Sequence, residues 1–173
     1  MIRDINQVDD YIIKAKRLIK QKLYSDADII EILDNPELNP EEPDSYIGEN
    51  IFGHILLPKT LYHKQNYICF DIKRDELSKF NDHMSHINFI FNVYVHHDSI
   101  PTKYGIDRHD LLAYLVRDIF NYSNFMGNQL VLLSDTPGLM DDAYTSRSLV
   151  FKVVTPNELQ RAVKTNKYEF PNG

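Results

Sequence analysis

Apolar residues recur at helical spacing from Val8 to Leu23. Val8, Ile12, Ala15, Ile19 and Leu23 share one face, with Tyr11 and Leu18 beside it. Lys14, Lys16, Arg17, Lys20 and Lys22 cover much of the remainder. That basic face is either the solvated side of an amphipathic helix or a binding patch. Ser25 and Asp28 have the spacing of a capping box, which predicts a second, short helix carrying Ile29, Ile30, Ile32 and Leu33. Asn35-Pro36 closes it, because proline disfavours helical geometry in the residue before it. From Asp34 to Asn50 the chain holds Pro36, Pro40 and Pro43 and the acids Glu37, Glu41, Glu42, Asp44 and Glu49, with no base. This stretch is expected to be an extended acidic arm or surface loop that couples the N-terminal helices loosely to the rest of the chain.

From Ile51 the period changes from helical to alternating. Strands are predicted over Ile51 to Leu57, Tyr67 to Lys73 and Ile87 to His96, with Arg74 to His86 as a polar connection. In the third of these Ile87, Phe89, Phe91, Val93 and Val95 line one face. Asp107 is the expected N-cap of the longest helix, with Asp110 in its first turn, where the helix dipole favours acids. Leu111, Leu112, Leu115, Val116, Ile119 and Phe120 form its apolar stripe, and Gly127, Asn124 or Asn121 ends it. Gln129 to Ser134 reads as a buried strand, Asp135 to Thr145 as a polar loop around Pro137-Gly138, and Arg147 to Val154 as a last strand. Thr155-Pro156-Asn157-Glu158 has the form of a capping box opening a short helix to about Lys164. The order predicts an α+β fold. Its mixed, largely antiparallel sheet of about four to five strands carries helices mainly on one face, with an N-terminal helical pair added. Residues 1–50 form the helices and the arm, residues 51–173 the α+β core, and together they are expected to make one compact domain.

Composition narrows the function. A chain of 173 residues suits one domain, and 43% apolar content supplies a core. There are 19 Lys+Arg and 25 Asp+Glu, so 19 − 25 gives a net charge of −6. That balance argues against a nucleic-acid-binding surface, which needs a basic stripe. The single cysteine, Cys69, excludes an internal disulfide and a thiolate zinc site within one chain, and a buried thiol is expected. The first residues lack a continuous apolar run and no stretch approaches the ~20 apolar residues of a membrane span, so synthesis and folding in a reducing cytoplasm are expected.

Candidate chemistry is sparse. His96, His97 and Asp98 end a strand, and His109 and Asp110 open a helix, two places that can meet in space. Imidazoles and carboxylates suit zinc, manganese or iron, so His96, His109 and Asp110 define a candidate metal-dependent hydrolase or nuclease. Neighbouring strand residues point to opposite faces, which separates His96 from His97. Asp135-Thr136-Pro137-Gly138 copies a nucleotide-binding Asp-x-x-Gly, but no Gly-x-x-x-x-Gly-Lys-Ser/Thr accompanies it, and a Pro-Gly turn explains it. Asp71, Lys73 and Asp75 are only loosely nuclease-like. Leu139 and Met140, beside Asp141, Asp142 and Tyr144, place apolar and aromatic side chains in a loop. Such a loop is either an interface or is tucked onto its own core.

NYICFDIK, then INFIFNVYVHHDSIPTKYGIDRHDLLAYLVRDIF, then GNQLVLLSDTPGLMDDAYTSRSLVFKVV together resemble the tail-completion proteins of tailed phages. These are the tail terminators and head–tail joining proteins that form neck rings. The resemblance runs from Asn66 to about Thr155 and omits the N-terminal helices. It implies a non-enzymatic virion subunit without catalytic residues, metal or cofactor. Such a subunit assembles with itself, commonly as a hexameric ring, and meets the tail tube and the connector, while DNA passes through without sequence-specific binding. Ring contacts are heterologous, so Glu41, Glu42 and Asp44 of one subunit are expected to face Lys14, Arg17 and Lys20 of the next. The remaining alternative is a small protein-binding domain.

Overall fold

The computed structural model describes residues 10–55, 64–75, 83–139 and 143–156. The N-terminal pair consists of α1 (Tyr11–Tyr24) and α2 (Ala27–Leu33). Asp10 caps α1 by accepting from the Ile13 amide at 3.0 Å, and Asp26 caps α2 by accepting from Ile29 at 3.0 Å. The expected Ser25 cap is therefore displaced by one residue. Ser25 instead ends α1, its amide donating to the Gln21 carbonyl. Tyr11, Ala15, Ile19 and Leu23 are the buried side of α1, as the spacing predicts.

The strands are β1 (Ile51–Phe52), β2 (Tyr67–Arg74), β3 (Met84–His96), β4 (Asn124–Phe125), β5 (Asn128–Gln129), β6 (Val131–Leu139) and β7 (Tyr144–Pro156). Five of them form the main sheet, in the order β1-β2-β3-β7-β6. β1 runs parallel to β2, and the other three pairings are antiparallel. α3 (Arg108–Phe120) lies between β3 and the small hairpin of β4 and β5 in the chain. Met126 and Gly127 both take positive φ, the signature of a two-residue type I′ turn. Gly127 thus turns the hairpin, and α3 ends at Asn121.

One face of the sheet carries the helices. Ile68, Phe70, Phe89, Phe91, Val93, Leu149 and Phe151 form one buried cluster with residues of all three helices. Phe91, on the central strand, sits 4.9 Å from the Phe120 ring and 5.6 Å from Phe151. Rings at such spacing add about 0.5–1.5 kcal/mol per pair beyond their burial. The opposite face holds a smaller buried group, Tyr67, Cys69, Tyr94 and Tyr144. Burial pushes the Tyr67 and Tyr94 phenols up, Tyr67 further because Tyr144 lies beside it.

The acidic arm is not the loose connection its composition suggests. Asn35 Nδ2 donates to Asn50 Oδ1 at 2.7 Å, and Asn50 Nδ2 donates to the Asn66 carbonyl at 2.8 Å. Asn66 Nδ2 returns to the Leu33 carbonyl at 3.0 Å. These three asparagines are buried, and the buried Tyr46 ends a 3-10 turn, Pro43–Tyr46, that anchors the arm between them. The ring of Tyr46 and the asparagine amides order the arm, and neither produces an apolar period along it.

Several strand boundaries move. β2 ends at Arg74 and β3 begins at Met84, so both ends of the expected polar connection Arg74 to His86 belong to paired strands, and β7 begins at Tyr144. β1 is confined to Ile51–Phe52, and Leu56 and Leu57 lie outside the described residues. β6 runs through Asp135-Thr136-Pro137-Gly138, so the predicted loop is strand as far as Leu139. It is an edge strand, largely exposed, whereas its apolar run predicts a buried one. An edge tolerates Pro137 because only one side of the strand must donate to a ladder. Thr155 and Pro156 continue β7, paired with Ser85 and Met84, in place of the predicted helix cap. The rest of that predicted helix lies outside the described residues, as does Val8.

Candidate functional site

The histidines do not converge. His96, at the end of β3, faces the far side of the sheet, where its ring meets Tyr144 edge-on at 5.2 Å. Its Nδ1 accepts from the Asp98 amide at 3.2 Å. His97 is exposed, and Asp98 pairs with Lys64 at 2.7 Å. The Lys64 ammonium holds the Asp98 carboxyl below the usual carboxylate range. Alternation along β3 is the reason for the separation: odd-numbered residues look toward α3, and His96 is even.

At the start of α3, Asp107, His109 and Asp110 each bring one potential ligand atom within 4.8 Å of the others. His109 Nε2 lies 3.5 Å from Asp110 Oδ1. His96 is not part of this group. Arg147 Nη1 donates to Asp110, so one member of this donor set is already engaged in an ion pair.

Arg147 continues the network. Its Nε donates to Asp135 Oδ1 at 2.5 Å, and Arg117 Nη1 donates to Asp135 Oδ2. Both oxygens of Asp135 thereby accept from an arginine. Asp135 in turn raises the Arg147 guanidinium further above its ordinary value. The result fastens β6 to β7 and to α3 through charge-assisted bonds. Asp71 and Asp75 are likewise engaged separately: Asp71 with Lys16 at 2.6 Å, Asp75 with Asn88 at 2.8 Å.

β6 is the most exposed apolar element among the described residues. Leu133 is 56% and Leu139 74% exposed. A bulge lies between Leu132 and Ser134, and β7 is the only described strand that pairs with β6. Bulge and proline blunt a strand edge against indiscriminate pairing while leaving side chains presented.

The other expected interface residues separate into four groups. Glu41, Glu42 and Asp44 are exposed around the 3-10 turn, and Lys14 and Arg17 are exposed on α1. That turn packs on α1 within one subunit. Lys20 is half-buried against Gly53. Tyr144, expected in an exposed loop, is buried beside Tyr67, because β7 begins with it. Met140, Asp141 and Asp142 lie outside the described residues.

Sequence reasoning missed Arg108. It is 7% exposed and donates from Nε to the Ser99 carbonyl at 2.6 Å, from Nη1 to the Ile32 carbonyl and from Nη2 to Asp34 at 2.9 Å. It thus joins α3 to the C-terminal end of α2, where unpaired carbonyls favour a cation. A basic residue directly after an N-cap acid carries no periodic signal that would reveal this.

The architecture defines an α+β protein whose features at the surface are a clamped, apolar sheet edge and charged helices. Among the described residues no helix is long and apolar enough to cross a membrane. The YomW family model matches residues 16–153, nearly the whole described structure. The chain belongs to the YomW family, and with it to a phage-associated group of proteins. No curated protein matches the chain.

Proposed function

We propose that this chain is a structural virion protein, a ring-forming tail terminator or head–tail joining subunit at the phage neck, and not an enzyme. The carrying observation is β6: an exposed edge with Leu133 and Leu139 outward, held rigid by the Arg147–Asp135–Arg117 clamp. A firmly held apolar edge suits a permanent neighbour, and the family's phage association supports a virion setting. Its partners on this reading are further copies of itself, the tail tube and the connector, with DNA passing through the ring.

The second reading is a metal-dependent hydrolase or nuclease, favoured by the grouping of Asp107, His109 and Asp110. His96 has no part in it. A native mass spectrum across a concentration series separates the two. The neck reading expects a metal-free closed oligomer, of about six copies if the ring is the common kind. A chain that stays monomeric throughout overturns it, and stoichiometric zinc or manganese on that monomer, lost in His109→Ala, installs the hydrolase.

A further inference from the structure

Building on the self-assembling reading above, we propose that the groove between α2 and α3 receives the outer face of α1 from a second copy of this chain. The groove has a volume of about 340 Å³. Its apolar wall comes from Ile32 on α2, Ile106 on the loop before α3, and Leu111, Tyr114 and Leu115 on α3. Tyr114 is 53% exposed. At about 100° per residue Leu111 and Leu115 turn away from Asp110 and Arg117, while Tyr114, one turn from each of them, stands at the border between the groove and the clamp on β6.

The rim is acidic. Asp28 and Glu31 are the charged residues lining the groove. Lys103 pairs with Glu31 at 2.6 Å, and the Tyr104 hydroxyl donates to the same carboxylate at 2.5 Å. Those contacts fix the rim before any partner arrives. Asp28 is exposed, and Asp118 is exposed on the same flank of α3. With Glu31 offset by Lys103, the acids left to an occupant are Asp28 and Asp118, which an apolar side chain accompanied by a single cation matches.

α1 offers that combination. Ile13 and Arg17, at i and i+4, are exposed side by side opposite the buried Ala15 and Ile19, whereas Lys20 and Tyr24 further along the row are half-buried on the subunit's own Gly53 and core. Ile13 is 40% exposed, and α1 holds no acidic residue. This is the pattern by which an amphipathic helix enters a groove. Ile13 meets the apolar wall, while Arg17 faces the acidic rim. The buried side of α1 is fixed on its own core, with Lys16 bound to Asp71 and to the Gly53 carbonyl. Its outer row therefore cannot turn into its own groove, and the contact is made between copies.

Cysteine cross-linking of the full-length chain tests this. Cys69 is buried and gives no competing thiol. Differently tagged Ile13→Cys and Tyr114→Cys proteins are mixed and treated with a short bis-maleimide. A covalent heterodimer is expected, and Tyr114→Ala or Arg17→Asp is expected to raise the dissociation midpoint of the assembly by about tenfold. Asp28→Arg is expected to restore the Arg17→Asp assembly. All these positions are exposed, and an unchanged circular dichroism spectrum verifies that each variant folds. An assembly that persists without cross-link and ignores both substitutions sinks this contact but spares the neck reading. A monomer at every concentration overturns both.

Discussion

Replacing Arg108 by methionine tests whether the N-terminal helices are an integral part of the fold. Methionine fills a similar volume, so the change removes hydrogen bonds with little added cavity. The Ile32 and Ser99 carbonyls lose their donor, at about 1–3 kcal/mol each for a buried group left unpaired. The C-terminal end of α2 also loses its cation, roughly 0.3–1 kcal/mol. Asp34 contributes little, because it is 64% exposed and an ion pair to it is worth at most about 1 kcal/mol. The expected loss is about 3 kcal/mol, which lowers the melting temperature by about 6–12 °C in a chain of this size. Urea unfolding followed by circular dichroism reads it as a lower midpoint with an unchanged slope. Asp34→Asn serves as the control, with a loss below about 1 kcal/mol. A loss in Arg108→Met under about 0.5 kcal/mol, or two separate transitions in the unmutated chain, would show that the pair is a loosely attached appendage and refute the reasoning.

Arg147→Met leaves Asp135 and Asp110 without their shared partner and should free the edge. Amide exchange across β6 is expected to quicken well before that of β3, with a stability loss of about 2–4 kcal/mol; uniform protection in both strands would contradict the clamp. Lys103 and the Tyr104 hydroxyl hold the Glu31 carboxyl below its ordinary range. A depressed acid stabilises the fold fully above its unfolded value, and that contribution fades as pH falls through the lower folded value. Glu31 is exposed, so the effect is small and salt-sensitive. Carboxyl NMR titration should find Glu31 low in the unmutated chain and shifted back toward normal in Lys103→Met.

The amphipathic face of α1, the alternation of β3 and the stripe of α3 are all legible in the sequence, because periodicity is a local property that burial on one side imposes on each element. The α+β class follows from the order of those periods. Strand order does not. The apolar run Leu130 to Leu133 looks buried in isolation, yet only Leu130 is fully so. β7 pairs with β3 along its whole length and leaves β6 outside. Likewise, Asp135-Thr136-Pro137-Gly138 is a turn by composition and a strand by position, since an edge needs amide donors on one side alone. The arm from Asp34 to Asn50 reads as unstructured because hydropathy averages over residues. Three buried asparagines and one tyrosine order it through partners distant in sequence. The same holds for the arginines. Arg108, Arg117 and Arg147 read as solvated charges until the fold brings Asp34 and Asp135 to them. Local period fixes the type of the long periodic elements, whereas pairing energies between segments far apart in the chain decide where each sits, how far its strands extend, which side is wet and which charges meet.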